Sequence, residues 1–349
     1  MAVRVMLVGV GARGRMWMRV LCELGAEVVA GVDPLPEAHM WVRTEHPGVR
    51  VYAALAEALA AHASDVTVAV VVTPPMGRSA VVLPLLEAGL HVISEKPLAT
   101  DLADAARIVA AAEIAGRQLS VCLNFRFLPV TCALKAELQG RWGPVTSSTL
   151  LYHINRDGRR PGLNRFPLSM ADPMLLEQSI HHLDLVRFVY DAEIVGVRAM
   201  LFNPRGSMYR GDATVAALLE LDRGVRVTYL GSWVTGSNIR SFSWRSDCER
   251  GVVIQRGLFD GLEAGPPEGP LQPVPVEAVE PFVTDTRAYA AAVLDALGNG
   301  APVPCSGRDH LLSLAAALAC RRAAETGHEI RPEDLLAAAG ASEVRQSET

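Results

Sequence analysis

A chain of 349 residues, half of them hydrophobic and 20% charged, is long enough for about two domains around a large core. Its net charge of −5 gives no electrostatic reason to bind nucleic acid or an anionic membrane. No apolar run reaches the roughly 18–20 residues that cross a bilayer, and the first apolar run reads as a buried strand rather than a signal peptide. Six scattered cysteines (Cys22, Cys122, Cys132, Cys248, Cys305, Cys320) form no C-x-x-C pair and read as reduced thiols of a cytoplasmic protein.

The first third alternates short apolar runs with helical stretches, the pattern of a doubly wound parallel α/β sheet. Strands are expected at Val3–Val8, Glu27–Val32, Asp65–Val72, Leu90–Ile93 and Leu119–Leu123. Helices are expected at Arg15–Leu24, Tyr52–Ala63, Ser79–Ala88 and Leu102–Ala115. Gly25, Gly89 and Gly116 stand just past helix ends, where a left-handed residue is needed.

From Asn124 the texture changes, which sets domain boundaries at 1–123 and 124–349. A helix at Pro129–Leu138 leads to a strand at Val145–Tyr152 and a loop rich in Arg, Gly, Pro and Asn. One helix is expected over Leu175–Tyr190. Alternating runs then follow at Glu193–Phe202, Ala213–Leu221, Val225–Trp233, Arg240–Trp244 and Gly251–Arg256, as in an open, mostly antiparallel sheet. Glu263–Pro281, with six prolines, reads as a loop or edge segment. Helices near Thr286–Leu297 and Gly307–Thr326 close the chain.

Gly9-Val10-Gly11-Ala12-Arg13-Gly14 follows the first strand and opens the first helix. Gly9 permits the tight turn, Gly11 the approach of a pyrophosphate, and Gly14 close helix–strand packing. The helix N-terminus offers unpaired N–H groups to the phosphates. Asp33, nineteen residues past Gly14, ends the second strand, where a carboxylate binds adenine-ribose hydroxyls and repels a 2′-phosphate. NAD is therefore favoured over NADP; Pro34 follows where an NADP site often has a basic residue, although Arg13 could compensate. Glu95-Lys96-Pro97 follows a later strand of the same sheet, on the edge where ligands bind.

Glu177, His181 and Asp184 fall on one face of the helix at 175–190, beside an apolar face of Leu176, Ile180, Leu183 and Val186. Imidazole suits proton transfer near neutral pH, and a neighbouring carboxylate can hold its tautomer. The same three residues could ligate a metal, but no further Cys or His stands at ligand spacing, and no metal is expected. His182 points elsewhere and reads as packing.

The glycine loop at 9–14, Thr73-Pro74-Pro75, Glu95-Lys96-Pro97-Leu98, Asn124-Phe125-Arg126-Phe127 and His181-His182-Leu183-Asp184 together resemble the glucose–fructose oxidoreductase / inositol dehydrogenase / MocA (Gfo/Idh/MocA) family, over nearly the whole chain. The resemblance implies a Rossmann domain followed by an α/β domain whose open sheet forms the interface of a homodimer or homotetramer. It implies NAD(P) contacts from Thr73, Pro74, Glu95, Lys96 and Asn124, beside Gly9, Gly11, Ala12, Arg13, Gly14, Asp33 and Arg78. Lys96 is implied at the reacting hydroxyl and His181 as the acid/base. Where the family usually carries Asp before its histidine, this chain has Glu177, and Arg78 stands where a histidine commonly follows Thr-Pro-Pro.

The expected activity is hydride transfer between a nicotinamide and a secondary alcohol or ketone of a sugar, cyclitol or related polyol. Lys96, His181 and Glu177 are the catalytic candidates, with Asp184 behind them. Arg126, Tyr152, Arg156 and Asn164 are candidates for substrate hydroxyls. Two other classes stand beside this one: an NAD-dependent glycoside hydrolase working by transient oxidation, and a non-catalytic NAD-binding sensor.

Overall fold

The structure, a computed structural model, describes residues 3–160 and 162–341. Its first strands are short Val-rich runs with no exposed face: Val68–Val71 is buried throughout and Arg4–Val8 beyond its first residue. Such strands need cover on both sides, which helical crossovers supply. In chain order these elements are β1 (Arg4–Val8), α1 (Ala12–Glu23), β2 (Glu27–Val32), α2 (Pro36–Glu45), β3 (Arg50–Tyr52) and α3 (Leu55–His62). They continue with β4 (Val68–Val71), α4 (Ser79–Glu87), β5 (His91–Ser94), α5 (Leu102–Ile114) and β6 (Leu119–Val121). The six strands pair in parallel in the order β3-β2-β1-β4-β5-β6. The order reverses between β1 and β4, and the crevice at that reversal is where an α/β sheet takes its ligand.

The later elements are α6 (Pro129–Leu138), β7 (Val145–His153), α7 (Ile180–Tyr190), β8 (Ile194–Phe202), β9 (Thr214–Leu221) and β10 (Arg226–Ser232). β11 (Ser241–Cys248), β12 (Gly251–Gln255), β13 (Leu262–Gly265), β14 (Gln272–Val274), α8 (Thr284–Asn299), α9 (Gly307–Thr326) and α10 (Pro332–Ala338) complete the fold. Eight strands form one sheet in the order β14-β13-β12-β11-β7-β10-β9-β8. Every pair is antiparallel except β7 with β10. Alternate residues such as Val227, Tyr229, Leu150 and Trp244 face inward to a core shared with Leu183, Val186 and Val189 of α7.

The chain divides into two compact units, Met1–Asn124 with Phe282–Leu311, and Phe125–Pro281 with Leu312–Thr349. The sequence reading placed all of 124–349 in the second domain, so α8 is a difference. Its Tyr289 is fully buried, meets Trp17 of α1 edge-on and shares a 2.6 Å hydrogen bond with Ser120 of β6. Helical periodicity shows that α8 has an apolar side but not which sheet that side covers.

Two further expectations change, at Tyr52 and in the helix over 175–190, while the proline-rich segment lies at an edge as expected. Tyr52, read as the start of a helix, ends β3. Part of the proline-rich 263–281 segment forms β13 and β14; Pro273 is tolerated because β14 is the sheet's edge and needs no second row of hydrogen bonds. The helix expected over 175–190 begins with a π-turn at Leu175–Ser179. The wider turn changes the angle between Glu177 and His181 from that of a regular α-helix. Nor is α7 solvated on one side, since ten of its eleven residues are buried. Among the described residues no helix is long and apolar enough to cross a membrane.

Candidate active site

In the first unit the glycine loop has the geometry its spacing implies. Gly9 adopts φ +95°, and a Cβ there would lie 3.0 Å from the Val72 carbonyl carbon. A Cβ on Gly14 would stand 2.1 Å from the Gly9 oxygen, so only glycine lets α1 start this close to β1. A Cβ on Gly11 would meet nothing within 4 Å, which leaves backbone open to a phosphate. Asp33 follows β2 directly and is buried; its carboxylate accepts the Val10 N–H (2.8 Å) and the Leu35 N–H (3.0 Å). The carboxylate is thereby held at the loop with acceptor capacity to spare for ribose hydroxyls.

Arg13 does something else. Its guanidinium donates to the Glu95 carboxylate (2.6 Å) and to Thr286 Oγ1 (3.1 Å). Trp17 Nε1, one turn further along α1, donates to the same Glu95 oxygen at 2.9 Å. Burial works to raise the Glu95 carboxyl, but Arg13, Trp17 and the nearby Lys96 charge outweigh it and hold it below its ordinary value. The Arg13 and Glu95 side chains, expected at the cofactor, are thus engaged with each other. Arg13 is not placed to receive a 2′-phosphate.

Lys96 stands half-buried between buried Glu95 and Pro97, just beyond β5, and its bond to Pro97 is cis. Thr73, after β4, has a buried Oγ1 with no hydrogen-bond partner among the described residues, as fits a group awaiting a ligand. Pro74 is exposed beside it. Arg78 is buried and donates to the carbonyls of Thr73, Glu95 and Pro97, so it braces this loop from within rather than facing a cofactor.

Asn124 donates its amide to Asp285 and Thr286 at the start of α8. No local motif marks Asp285, and it was not foreseen. Burial pushes its carboxyl up to about 6, against the opposing effects of Arg13, backbone N–H groups and Asn124. Its Oδ1 has no partner among the described residues.

In the second unit, His181 is buried and stacks on Phe125 with ring centroids 4.2 Å apart. His182 is buried completely; its ring nitrogens meet the Tyr229 hydroxyl (2.9 Å) and the Gln178 amide (3.1 Å), and burial lowers its pKa to about 3. It is a neutral packing residue. Glu177 lies in the π-turn before α7.

Two expected roles change here. Arg126 was read as a substrate contact and Asp184 as standing behind His181. Instead Arg126 grips Asp184 through two nitrogens, with the Nε bond at 2.8 Å, and Ser313 Oγ adds a bond of 2.7 Å. Arg187 of α7 joins Asp184 (3.5 Å) to Glu193 (2.6 Å). Asp184 and Arg187 are buried, Arg126 and Glu193 partly so, and the four charges neutralise one another inside the unit, which occupies the Arg126 side chain.

Tyr152 lies near Arg156 and Arg240. Burial pushes the Tyr152 phenol up, against the nearby charges of Arg240 and Arg156. Arg156 lies over Trp233 at 4.4 Å and donates to the Tyr209 hydroxyl at 3.3 Å. Arg240, Trp233 and Tyr209 were missed, since strand periodicity marks faces and not which residues distant in sequence become neighbours. Asn164 is exposed further along the same loop.

The model of an oxidoreductase family with an NAD-binding Rossmann fold, Gfo/Idh/MocA, matches residues 3–123, and that of its C-terminal domain matches 134–253. The chain belongs to the Gfo/Idh/MocA family. It is 30% identical to a myo-inositol dehydrogenase of Streptomyces leeuwenhoekii over 93% of this chain and 98% of the relative. It is 35% identical to an inositol 2-dehydrogenase of Acidothermus cellulolyticus over 57% of each chain. In fold it resembles an oxidoreductase from Agrobacterium radiobacter crystallised with NAD+, L-tartaric acid and magnesium, at a TM-score of 0.87 and 21% identity, over 96% of this chain and all of the other. With the open backbone at Gly11, the orphan hydroxyl of Thr73 and the carboxylate of Asp33, the first unit of this Gfo/Idh/MocA member fits NAD.

Asp33→Ala is expected to reduce the NAD-over-NADP ratio of kcat/KM by about tenfold, a loss of about 1.4 kcal/mol. An unaltered enzyme that already prefers NADP would refute this role for the carboxylate. Asp285, with its raised pKa, makes the folded state less favourable once ionised. Asp285→Asn should therefore stabilise the protein above pH 6, by up to about 3 kcal/mol at about 1.4 kcal/mol per pKa unit. The gain should shrink as pH falls from 6 to 4, as urea unfolding across that range will show.

Proposed function

We propose that the protein is an NAD-dependent dehydrogenase of sugars or cyclitols, oxidising a secondary alcohol or reducing the matching ketone. The observation that carries this reading is Lys96, presented beyond β5 between two buried neighbours, on a sheet whose glycine loop and Asp33 fit NAD. Its relatives named for inositol and for D-apiose support a polyhydroxylated substrate.

The bound nicotinamide supplies the hydride acceptor or donor. In the oxidising direction, Lys96 stabilises the negative charge that grows on the carbinol oxygen, and His181 takes the hydroxyl proton. Phe125, stacked on the imidazole, restricts its rotation. Glu177, from the preceding π-turn, orients His181 or binds an adjacent substrate hydroxyl. Tyr152 and Arg156 contact the remaining hydroxyls, with Arg240 as an addition the sequence did not suggest. The reverse reaction returns the proton from His181 to the ketone oxygen.

We also infer a homo-oligomer formed through the outer face of the eight-stranded sheet. Paired positions Met200, Ala216, Leu230 and Leu151 make a row on that face across four strands. Met200 is 68% exposed, and the neighbouring Leu218 57%. All six cysteines are free thiols, which supports a cytoplasmic setting.

Lys96→Ala and His181→Ala should each lower kcat by about 10²–10⁴ while NADH binding persists. The assay is NADH formation with myo-inositol, D-apiose and D-glucose; near-normal turnover in both variants would end the assignment. Sedimentation should give a dimer or tetramer, and Leu218→Arg should shift it toward monomer. A monomeric parent protein would contradict the interface.

A further inference from the structure

Each residue around Lys96 has its own buried holder. The Glu95 carboxylate is bound by Arg13 and Trp17, and the Leu98 N–H donates to His310 Nε2 at 3.1 Å. Arg78, 2% exposed, takes the backbone itself. Its Nη1 donates to the carbonyls of Glu95 and Pro97, on either side of Lys96, and its Nη2 to the carbonyl of Thr73. One guanidinium thus joins the lysine loop after β5 to the threonine loop after β4.

We propose that Arg78 is a positioning residue for turnover: it sets the direction in which Lys96 is presented, relative to the Thr73 loop that would hold the cofactor. The inference depends on the catalytic reading of Lys96 given above. A neutral imidazole, the side chain the family resemblance leads one to expect here, has one N–H and could hold one of the three carbonyls. An ammonium has three N–H groups but on a flexible stem, whereas a guanidinium offers five in a rigid plane. Bridging three carbonyls that converge from two loops therefore requires arginine. A misplacement of about 1 Å in a reacting constellation costs as much as 10²-fold in rate, so a brace on the lysine's backbone acts on kcat more than on binding.

The test uses Arg78→Met and Arg78→Lys in the full chain, with Lys96→Ala as control. Turnover is followed with whichever of myo-inositol, D-apiose and D-glucose the parent oxidises fastest. Arg78→Met should lose kcat at saturating NAD by about 10–10², with NADH affinity changed far less, and Arg78→Lys should recover part of the loss. A readout without cofactor accompanies this: labelling of Lys96 by trinitrobenzenesulfonate, followed by peptide mass spectrometry. Its rate should rise several-fold in Arg78→Met and return toward the parent's in Arg78→Lys. If Arg78→Met does not fold, a fall in kcat together with faster labelling in Arg78→Lys supports the proposal in its place. Unchanged kcat and labelling, or a kcat loss accounted for wholly by NADH affinity or thermal unfolding, would overturn the proposal. Full turnover in Lys96→Ala would instead sink the reading of Lys96 itself, whatever Arg78 does to its labelling.

Discussion

A carboxylate taken out of water must be compensated where it stands, and in the first unit that carboxylate is Glu95. Stripped of solvent, it is held ionised by Arg13 and Trp17 of α1. The consequence is mechanical. The helix that opens at the glycine loop is joined to the loop that carries Lys96, so these two segments are parts of one buried framework. Losing one partner of such a pair leaves an unpaired buried charge, far costlier than the pair is worth in net stability.

The second unit applies the same logic to a different end. Asp184, Arg126, Arg187 and Glu193 form a charge chain within and beside α7. With almost the whole helix buried, His181 is carried on an element that has little freedom to move. The groups around Tyr152 are held more softly. They come from a long loop, from strand ends and from Arg240, and aromatic, cation–π and hydrogen-bonding contacts join them.

Much of this was legible in the residues themselves. The parallel sheet followed from buried apolar runs with glycine helix stops, and Gly9, Gly11, Gly14 and Asp33 could be placed because each answers a local backbone demand. Arg126 and Asp184 were misread because a motif marks residues as special without saying whether they face a ligand or one another. Two charges 58 positions apart leave no trace of their pairing in periodicity. Trp17 was within reach: it stands four residues after Arg13 on a helix, hence on the same side. Asp285 and Tyr289 were not, because nothing in a late helix announces that it belongs with the earliest strands.

That late helix bears on the order in which the protein can be finished. As the chain emerges during synthesis, β1 to β6 are available long before α8. Until α8 arrives, Ser120 lacks Tyr289, Asn124 lacks Asp285, and the Thr286 hydroxyl is absent from the Arg13 guanidinium. At about 5–20 residues per second the interval is on the order of 10–40 seconds. Throughout it the NAD-binding unit is a nearly complete sheet with an open seam, while the whole eight-stranded sheet is made. The part of the molecule that begins first is closed only after the other has been threaded, and a nascent chain halted before Phe282 cannot close it.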